Sequence, residues 1–269
     1  MKFIRKFFSL TSFQARLDIS QAFDFWSRYL WIFLFCLTQA FFLKAALWQR
    51  TIRLLGYEID LPLFLISGMA ATRLVGIGSR AFQEMLSHFK STGLTPWLMM
   101  TPTSLWEHFV SCILWKGFLA ATEFSAVVLF GRYLVGTPVR LFLEWPVLAA
   151  LLLAAASYLG LGMICSALIL FIRRGAFLFS ILEQASIVFG GAYFPVYLFP
   201  EGVKEIVRFL PVTPALEIIR YELIGVGFQG QSSLFLFLGA SAAVIVLIGF
   251  LFLQRALVWA KLNGALLEK

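Results

Sequence analysis

Long apolar runs dominate the chain, and their lengths are those of helices that cross a membrane. A helix needs about 20 mostly apolar residues to span the hydrocarbon layer. Six runs reach or approach this length, near residues 25–48, 62–80, 104–130, 145–172, 175–192 and 233–254. The pattern therefore predicts an all-α integral membrane protein, with six transmembrane helices in a single domain over residues 25–269.

The first 24 residues follow a different pattern. Polar residues lie largely opposite a set of apolar side chains that recur at helical spacing. The apolar residues are Phe3, Phe7, Leu10, Phe13 and Leu17. A helix with one apolar and one basic face lies in the plane of the membrane interface. We predict that residues 1–24 form such an amphipathic interfacial helix. Because no apolar core of signal-peptide type follows the basic start, we expect this helix to be retained.

Residues 190–226 are too charged to span a membrane and too apolar for an ordinary loop. Prolines interrupt the segment at four positions, namely Pro195, Pro200, Pro211 and Pro214. Since proline ends or kinks a helix, the segment reads as several short amphipathic pieces. We predict short re-entrant helices at the outer membrane face, between the fifth and sixth spans.

The composition agrees with a membrane protein. Hydrophobic residues make up 61% of the chain and charged residues 13%, against about 25% charged in soluble domains; the mean hydropathy is +0.88. The net charge of +8 does not indicate nucleic acid, because the excess of Lys and Arg lies in the segments predicted on the side of the termini. Basic residues accumulate on the cytoplasmic side, so both termini are predicted to be cytoplasmic.

One predicted span carries small residues at four-residue separations, from Ala154 to Ser157 and then at Gly160 and Gly162. In lipid, close approach of backbones replaces the hydrophobic effect as the force between helices. We expect this face to pack against another helix.

Four ionisable residues fall well inside predicted spans: Arg73, Lys116, Glu123 and Glu183. Charges inside a membrane are costly and are therefore functional candidates. Lys116 and Glu123 are seven residues apart and share a helix face. Two interpretations stay open, a set of structural ion pairs and a polar lining of a translocation path. Four others lie near span ends and are expected to reach the head groups, namely Arg28, Lys44, Glu107 and Arg255.

Metal, cofactor and catalytic sites are not predicted. The three cysteines lie in apolar runs without paired spacing and are expected to be packing residues. Glu84 and His88 stand four residues apart, but they lack a third ligand. We interpret them as an exposed helix face.

The segment from His88 to Phe109 joins the second and third spans. Thr101 before Pro102 suits a helix start, and Ser104 with Glu107 matches the S-x-x-E capping box. An apolar cluster precedes them: Leu94, Trp97, Leu98 and Met100. Two interpretations of the cluster stay open, a docking surface and a position in the head-group layer.

Three segments resemble one family. TGLTPWLMMTPTSLWE, residues 92–107, resembles the cytoplasmic coupling segment of ABC-2-type exporter permeases. SALILFIRRG, residues 166–175, resembles the inner turn between that family's fourth and fifth spans, and residues 190–225 are similar to its outer segment. The three matches occur in the family's order and fit the same six-span frame.

The resemblance implies a permease subunit of an ATP-driven exporter in the cytoplasmic (inner) membrane of a prokaryote. It implies a separate ABC ATPase in two copies, which binds ATP and Mg²⁺, and a pair of permeases, either a homodimer or a heterodimer. The sequence independently lacks the G-x-x-x-x-G-K-[ST] phosphate loop of ATPases. The partners expected are this ATPase, a second permease and membrane lipids, with no nucleic acid.

The resemblance also implies roles for named residues. Residues 88–107 become the ATPase coupling segment, with Thr92, Gly93, Leu94, Trp97, Leu98, Thr101, Pro102, Trp106 and Glu107 as its contacts. Residues 190–226 become an outer gate, with Gly190, Gly191, Phe194, Pro195, Pro200, Pro211, Thr213, Pro214 and Glu217 as its members. One position departs from the family: Pro96 stands where a glutamate is common, so the role of that glutamate does not carry over.

Several substrate classes stay open. Polysaccharide exporters of the family tend to carry an RY-containing stretch with a downstream G-x-x-W before the first span, and RLDISQAFDFWSRYLW departs from it. The departure favours a lipophilic or amphipathic substrate that is drug-like, peptidic or lipid-like, over a polysaccharide or lipid-linked glycan. A membrane-embedded enzyme acting on a lipid-linked substrate is the alternative from another class. Its nearest candidate pair, Glu107 and His108, points about 100° apart on a helix.

Overall fold

The computed structural model describes residues 2–20, 22–42, 51–54, 57–91, 105–136, 144–172, 177–224 and 231–262. Helices make up most of these residues. In chain order they are α1 (Lys2–Ser20), α2 (Ala22–Phe42), α3 (Leu61–Ser91), α4 (Leu105–Val135), α5 (Trp145–Ile172), α6 (Phe177–Phe189), α7 (Glu201–Arg208), α8 (Val212–Ile224) and α9 (Ser232–Leu262). A single 3₁₀ turn, Val196–Leu198, lies between α6 and α7.

Within the described residues, three helices are apolar and long enough to cross a membrane: Trp106–Leu134, Trp145–Phe171 and Ser232–Ala260. They coincide with the predicted spans at 104–130, 145–172 and 233–254. Two shorter apolar stretches, Leu61–Arg73 in α3 and Ser180–Phe189 in α6, overlap the predicted second and fifth spans. These lengths support a multi-pass membrane protein, while the count of six spans stays a prediction.

A short antiparallel hairpin precedes α3, and the sequence analysis did not predict it. Strand β1 (Thr51–Leu54) pairs with β2 (Tyr57–Asp60), and Leu54 lies opposite Tyr57, which leaves a two-residue connection. Each strand has only four residues, too few for an alternating pattern to stand out from the surrounding sequence. Ile59 is buried in one apolar cluster with Phe64 and Leu65, so the hairpin packs on the start of α3.

Helix α5 is central to the bundle, since it packs against α9, α3 and α8. Small residues allow its contact with α9. A Cβ atom added at Gly249 would overlap the carbonyl oxygen of Gly160, and one added at Gly160 would lie 2.8 Å from the backbone of Ile245. The predicted small-residue face of this helix is therefore confirmed as a packing surface.

The remaining helices surround this centre. Helix α3 packs against α4, α5, α6 and α8, and α4 in turn carries α1 and α2 on its other side. Charged residues of α2, α3, α4 and α6 meet in the space that these contacts leave between the helices.

Candidate functional site

A cavity of about 260 Å³ lies among α2, α3, α4 and α6. All four ionisable residues that the sequence places inside spans line it, together with two more charged residues. The six are Arg28, Arg73, Glu84, Lys116, Glu123 and Glu183. The cavity is thus lined by three basic and three acidic side chains within a bundle of apolar helices.

Helical periodicity explains the convergence. Arg73 and Glu84 are eleven residues apart on α3, about three turns, and Lys116 and Glu123 are seven apart on α4, about two turns. Each pair therefore lies along one face of its helix. Because α3 and α4 pack on each other, the two charged faces meet.

Lys116 joins three helices at one end of this cluster. Its ammonium nitrogen lies 2.9 Å from Oε2 of Glu84 on α3 and 3.2 Å from Oδ2 of Asp18 on α1. The indole nitrogen of Trp115 donates a hydrogen bond of 2.8 Å to the same oxygen of Asp18. These contacts fix the end of the amphipathic helix α1 to the wall of the cavity.

Sequence reasoning missed Asp18 and Glu84 as partners of Lys116. One signal was present: Asp18 is the only acidic residue among the first 20 positions. A lone carboxylate on an otherwise basic helix, just before the first span, is suited to accept a cation from a neighbouring helix.

Arg73 has hydrogen-bonding capacity that the described residues do not satisfy. Its Nε is buried and has no hydrogen-bond partner among them. Glu183 of α6 approaches α3 closely at Gly76, where an added Cβ atom would lie 3.0 Å from Oε1 of Glu183. The glycine gives the Glu183 carboxyl group room beside α3.

A further buried charge, Arg220, lies outside the cavity, on α8. The side chain of Arg220 is 2% exposed, and its Nη2 donates a hydrogen bond of 2.8 Å to the carbonyl oxygen of Gly191. The same nitrogen lies 3.4 Å from the carbonyl oxygens of Phe64 and Ala192. The guanidinium carbon lies 3.5 Å from the centre of the Phe64 ring, a cation–π contact.

This arrangement joins three parts of the chain. Gly191 has a φ of +89°, which favours glycine, and its carbonyl accepts the bond from Arg220. Burial lowers the pKa of Arg220 to about 9, an effect that Glu217 partly offsets, so the guanidinium stays charged at neutral pH. Arg220 thereby ties α8 to the turn after α6 and to the start of α3.

The predicted gate residues occupy this region. Gly190, Gly191, Pro195, Pro211, Thr213 and Pro214 are buried, Phe194 and Pro200 are exposed, and Glu217 is partly buried. The hydroxyl of Thr213 donates a hydrogen bond of 2.8 Å to the carbonyl of Val207, which connects α8 to α7. A Cβ atom added at Gly190 would overlap the side chain of Val212. The structure thus brings the two glycines next to α8.

Of the nine predicted coupling residues, the structure describes two. Thr92, Gly93, Leu94, Trp97, Leu98, Thr101 and Pro102 lie outside the described residues. Trp106 and Glu107 lie in the first turn of α4. The Trp106 ring packs against Phe109 and against Phe250 of α9, with ring centres 5.7 and 4.8 Å away. The end of the coupling segment is therefore anchored inside the bundle.

Metal-binding geometry does not occur in the part of the chain that the structure describes, where no three His, Cys, Asp or Glu side chains are grouped to hold an ion. The three cysteines are free thiols, with Cys36 and Cys112 buried. The cavity therefore offers charge and hydrogen bonds, contributed by Arg, Lys and Glu side chains.

The chain matches a known protein family. A family model described as ABC-2 type transporter matches residues 13–224. The match runs from the second half of α1 to the end of α8, and so includes both the cavity and the region around Arg220. No curated protein matches the chain.

Proposed function

Because the chain belongs to the ABC-2 type transporter family, whose model matches residues 13–224, we propose that it is the transmembrane permease subunit of an ATP-driven exporter. Its substrate is lipophilic or amphipathic and moves outward across the cytoplasmic membrane of a prokaryote, with both termini of the chain in the cytoplasm. Two copies of a separate ATPase bind ATP and Mg²⁺, and two copies of this chain form the membrane part.

The cavity carries this proposal. Removing a charge from water costs several kcal/mol, so side chains that form purely structural ion pairs are expected to pack tightly and to leave no cavity between them. Here charged side chains from four helices surround about 260 Å³ instead. Arg73 also has a buried Nε without a partner among the described residues. Both observations favour a polar binding site on a translocation path.

Two connections lead from the cytoplasmic side toward the cavity. The interfacial helix α1 reaches it directly through Asp18 and Lys116. The proposed coupling segment, residues 88–107, ends at Trp106, which packs on α9. We expect a movement of the ATPase to reach the bundle by both connections, while residues 190–226 act as the outer gate.

The complex itself provides the first test. The chain is co-expressed with an ABC ATPase from the same genome, purified, and assayed for ATP hydrolysis that vanadate inhibits. We expect a stable complex whose hydrolysis hydrophobic compounds stimulate. Absence of both the complex and the hydrolysis would overturn the proposal. Stimulation by a lipid-linked glycan, and not by hydrophobic compounds, would contradict the substrate class and favour a glycan exporter.

A matched pair of variants tests the cavity. Glu183→Gln removes a charge from the cavity wall, and Glu205→Gln removes one from an exposed position on α7. We expect the Glu183 variant to form the complex but to lose substrate transport into inverted vesicles by at least about tenfold, since interactions with charged groups are the stronger ones. The Glu205 variant should transport normally. Equal transport by both variants would contradict a path through the cavity.

A further inference from the structure

We propose that the cavity opens toward the cytoplasmic side at an inner entrance, formed by residues 18–20 of α1 and 22–30 of α2, which moves away from α4 when two polar contacts break. The two contacts join Asp18 to Lys116 and Tyr29 to Thr122. The inference rests on the proposed function, since it describes how the site of that function is filled and closed.

The cavity is elongated along α3. Its lining residues on this helix run from Thr72 to Glu84, about 18 Å at 1.5 Å per residue. Toward one end, Thr72 and Glu183 are buried. At the other end the Glu84 side chain is 44% exposed and is paired with Lys116, which also holds Asp18 of α1. The accessible end of the cavity is therefore the end at which α1 meets α4.

Helix α2 is held in two different ways along its length. Its second half carries buried Ile32, Cys36 and Ala40, and the first two pack in one apolar cluster with side chains of α3 and α4. From Phe23 to Trp31, every side chain that the structure describes is partly or largely exposed. Movement of the first half of α2 therefore disrupts few packing contacts and leaves the second half in place.

Two polar contacts hold the inner entrance to α4. Oδ2 of Asp18 lies 3.2 Å from the ammonium nitrogen of Lys116 and accepts a hydrogen bond of 2.8 Å from the Trp115 indole. The hydroxyl oxygens of Tyr29 and Thr122 lie 2.9 Å apart. Both contacts are only partly buried. Since water can replace a lost partner at such positions, they break at lower cost than fully buried contacts.

Lys116 is suited to release Asp18. Its ammonium nitrogen also lies 2.9 Å from Oε2 of Glu84. A buried charge that loses every partner is strongly destabilising, but Glu84 keeps the ammonium group paired after Asp18 has left. Asp18 already has a 24% exposed side chain and becomes hydrated at the interface. Both charges are therefore satisfied whether the entrance is closed or open.

Opening also changes the cavity wall, because Arg28 of α2 lines the cavity and is the neighbour of Tyr29 in the chain. Movement of residues 22–30 carries Arg28 away and opens the cavity between α2 and α4. Trp26 and Leu30, in the same part of α2, are exposed and offer apolar surface beside this opening. An amphipathic substrate then enters with its polar part in the cavity and its apolar part in the membrane.

Labelling of a cysteine inside the cavity measures the opening. The three native cysteines are replaced by alanine, and Thr72→Cys places one thiol at the buried end of the lining. A small, membrane-impermeant thiol reagent is added to inverted vesicles, whose cytoplasmic side faces the reagent. Asp18→Ala, Tyr29→Phe and their combination are compared with two controls. Glu205→Ala and Tyr133→Phe remove a carboxylate and a phenol hydroxyl at exposed positions on α7 and α4.

We expect each single variant to raise the labelling rate about fivefold, because loss of one hydrogen bond or ion pair from the closed state shifts the equilibrium by about that factor. The combined variant should react faster than either, and both controls should match the native contacts. Equal rates in all these chains would overturn the inference. Faster labelling in right-side-out vesicles than in inverted ones would also overturn it, because the cavity would then open outward.

A reversible cross-link tests the entrance in the opposite direction, in the complex with the ATPase. Tyr29→Cys and Thr122→Cys, in the chain without native cysteines, are joined by a short reagent that forms a disulfide with each thiol. We expect the link to stop ATP-driven transport at least about tenfold, and reduction of the disulfides to restore it. The same chain before linking is the control.

The outcomes separate this inference from the proposed function. Transport that continues with the link in place would overturn the inference and leave the proposed function standing. Absence of the ATPase complex and of transport before linking would overturn the proposed function instead. Labelling of Thr72→Cys in the chain alone then still decides whether the cavity opens at α1 and α2.

Discussion

The region around Arg220 and the cavity both contain buried charge, but they accommodate it in opposite ways. Arg220 is enclosed by protein atoms, with a hydrogen bond to Gly191, two further carbonyl oxygens 3.4 Å away and the Phe64 ring beneath it. Arg73 lines an open volume. Each arginine has an Nε without a hydrogen-bond partner in the described residues, so the two differ in what surrounds the rest of the side chain, which is protein atoms for Arg220 and open space for Arg73.

This difference separates a structural charge from a charge available to a ligand. Removing a charge that the protein itself satisfies exposes unpaired groups and destabilises the fold. Removing a charge that faces a cavity leaves most protein contacts in place. Substitutions around Arg220 should therefore change stability, and substitutions in the cavity should change binding first.

The largest effect is expected for Arg220→Met. The variant fills similar space but leaves the carbonyl of Gly191 without its donor, and it removes the cation–π contact with Phe64. We expect the free energy of unfolding to fall by about 3 kcal/mol. Titration of the purified chain with a denaturing detergent, followed by circular dichroism, measures the change.

Two further variants sharpen this prediction. Arg220→Lys keeps the charge but lacks the planar fork, so we expect it to recover only part of the loss. Arg208→Met removes an exposed arginine from α7 and should change stability by less than about 0.5 kcal/mol. Similar unfolding of the Arg220→Met and Arg208→Met variants would show that Arg220 is not the structural charge described above.

A second prediction concerns the backbone around Arg220. Gly68 of α3 faces Ala192, and a Cβ atom at position 68 would overlap the Ala192 carbonyl oxygen. We expect Gly68→Ala to push α3 away from this turn and to destabilise the chain by about 2 kcal/mol. The same detergent titration measures this loss of stability.

Gly117→Ala is the matched control, because a Cβ atom at position 117 meets nothing within 4 Å. Alanine favours a helix over glycine by up to about 1 kcal/mol, so this variant should be as stable as the native chain or more so. If both alanine variants gained stability, the close approach of α3 to Ala192 would be refuted.

The sequence was sufficient for features that depend on local pattern. Apolar length predicted the three long apolar helices, and small residues predicted the contact between α5 and α9 at Gly160. The prolines of residues 190–226 predicted short helices, and the structure has α7 and α8 there. Each of these features follows from residues close together in the chain.

Features that depend on distant partners could not be predicted. The cost of charge in a membrane pointed to four residues as candidates, namely Arg73, Lys116, Glu123 and Glu183. It did not predict that they line one cavity together with Arg28. Arg28 stands near the end of a predicted span, so its sequence position gave no reason to place it inside. Arg220 resembled an ordinary charge in a polar segment, because only the fold brings Gly191 and Phe64 to it.

The smallest effect is expected for Lys116, which combines the two kinds of buried charge. It lines the cavity, and it is also paired within the protein. Lys116→Met leaves Asp18 and Glu84 without their shared cation. The two carboxylate side chains are 24% and 44% exposed, so water reduces the loss, and we expect about 1 kcal/mol. Hydrogen exchange should also become faster in α1, because one of its attachments to α4 is removed.

A double-mutant cycle with Asp18→Asn isolates this attachment. If the ion pair is the attachment, the double variant should be more stable than the sum of the two single changes predicts, by about 0.5–1 kcal/mol. Arg132→Met, on the same helix α4 but exposed, should leave exchange in α1 unchanged. Strictly additive effects would mean that the ion pair between Lys116 and Asp18 does not hold α1, and Lys116 would then join Arg73 as a charge that serves the cavity.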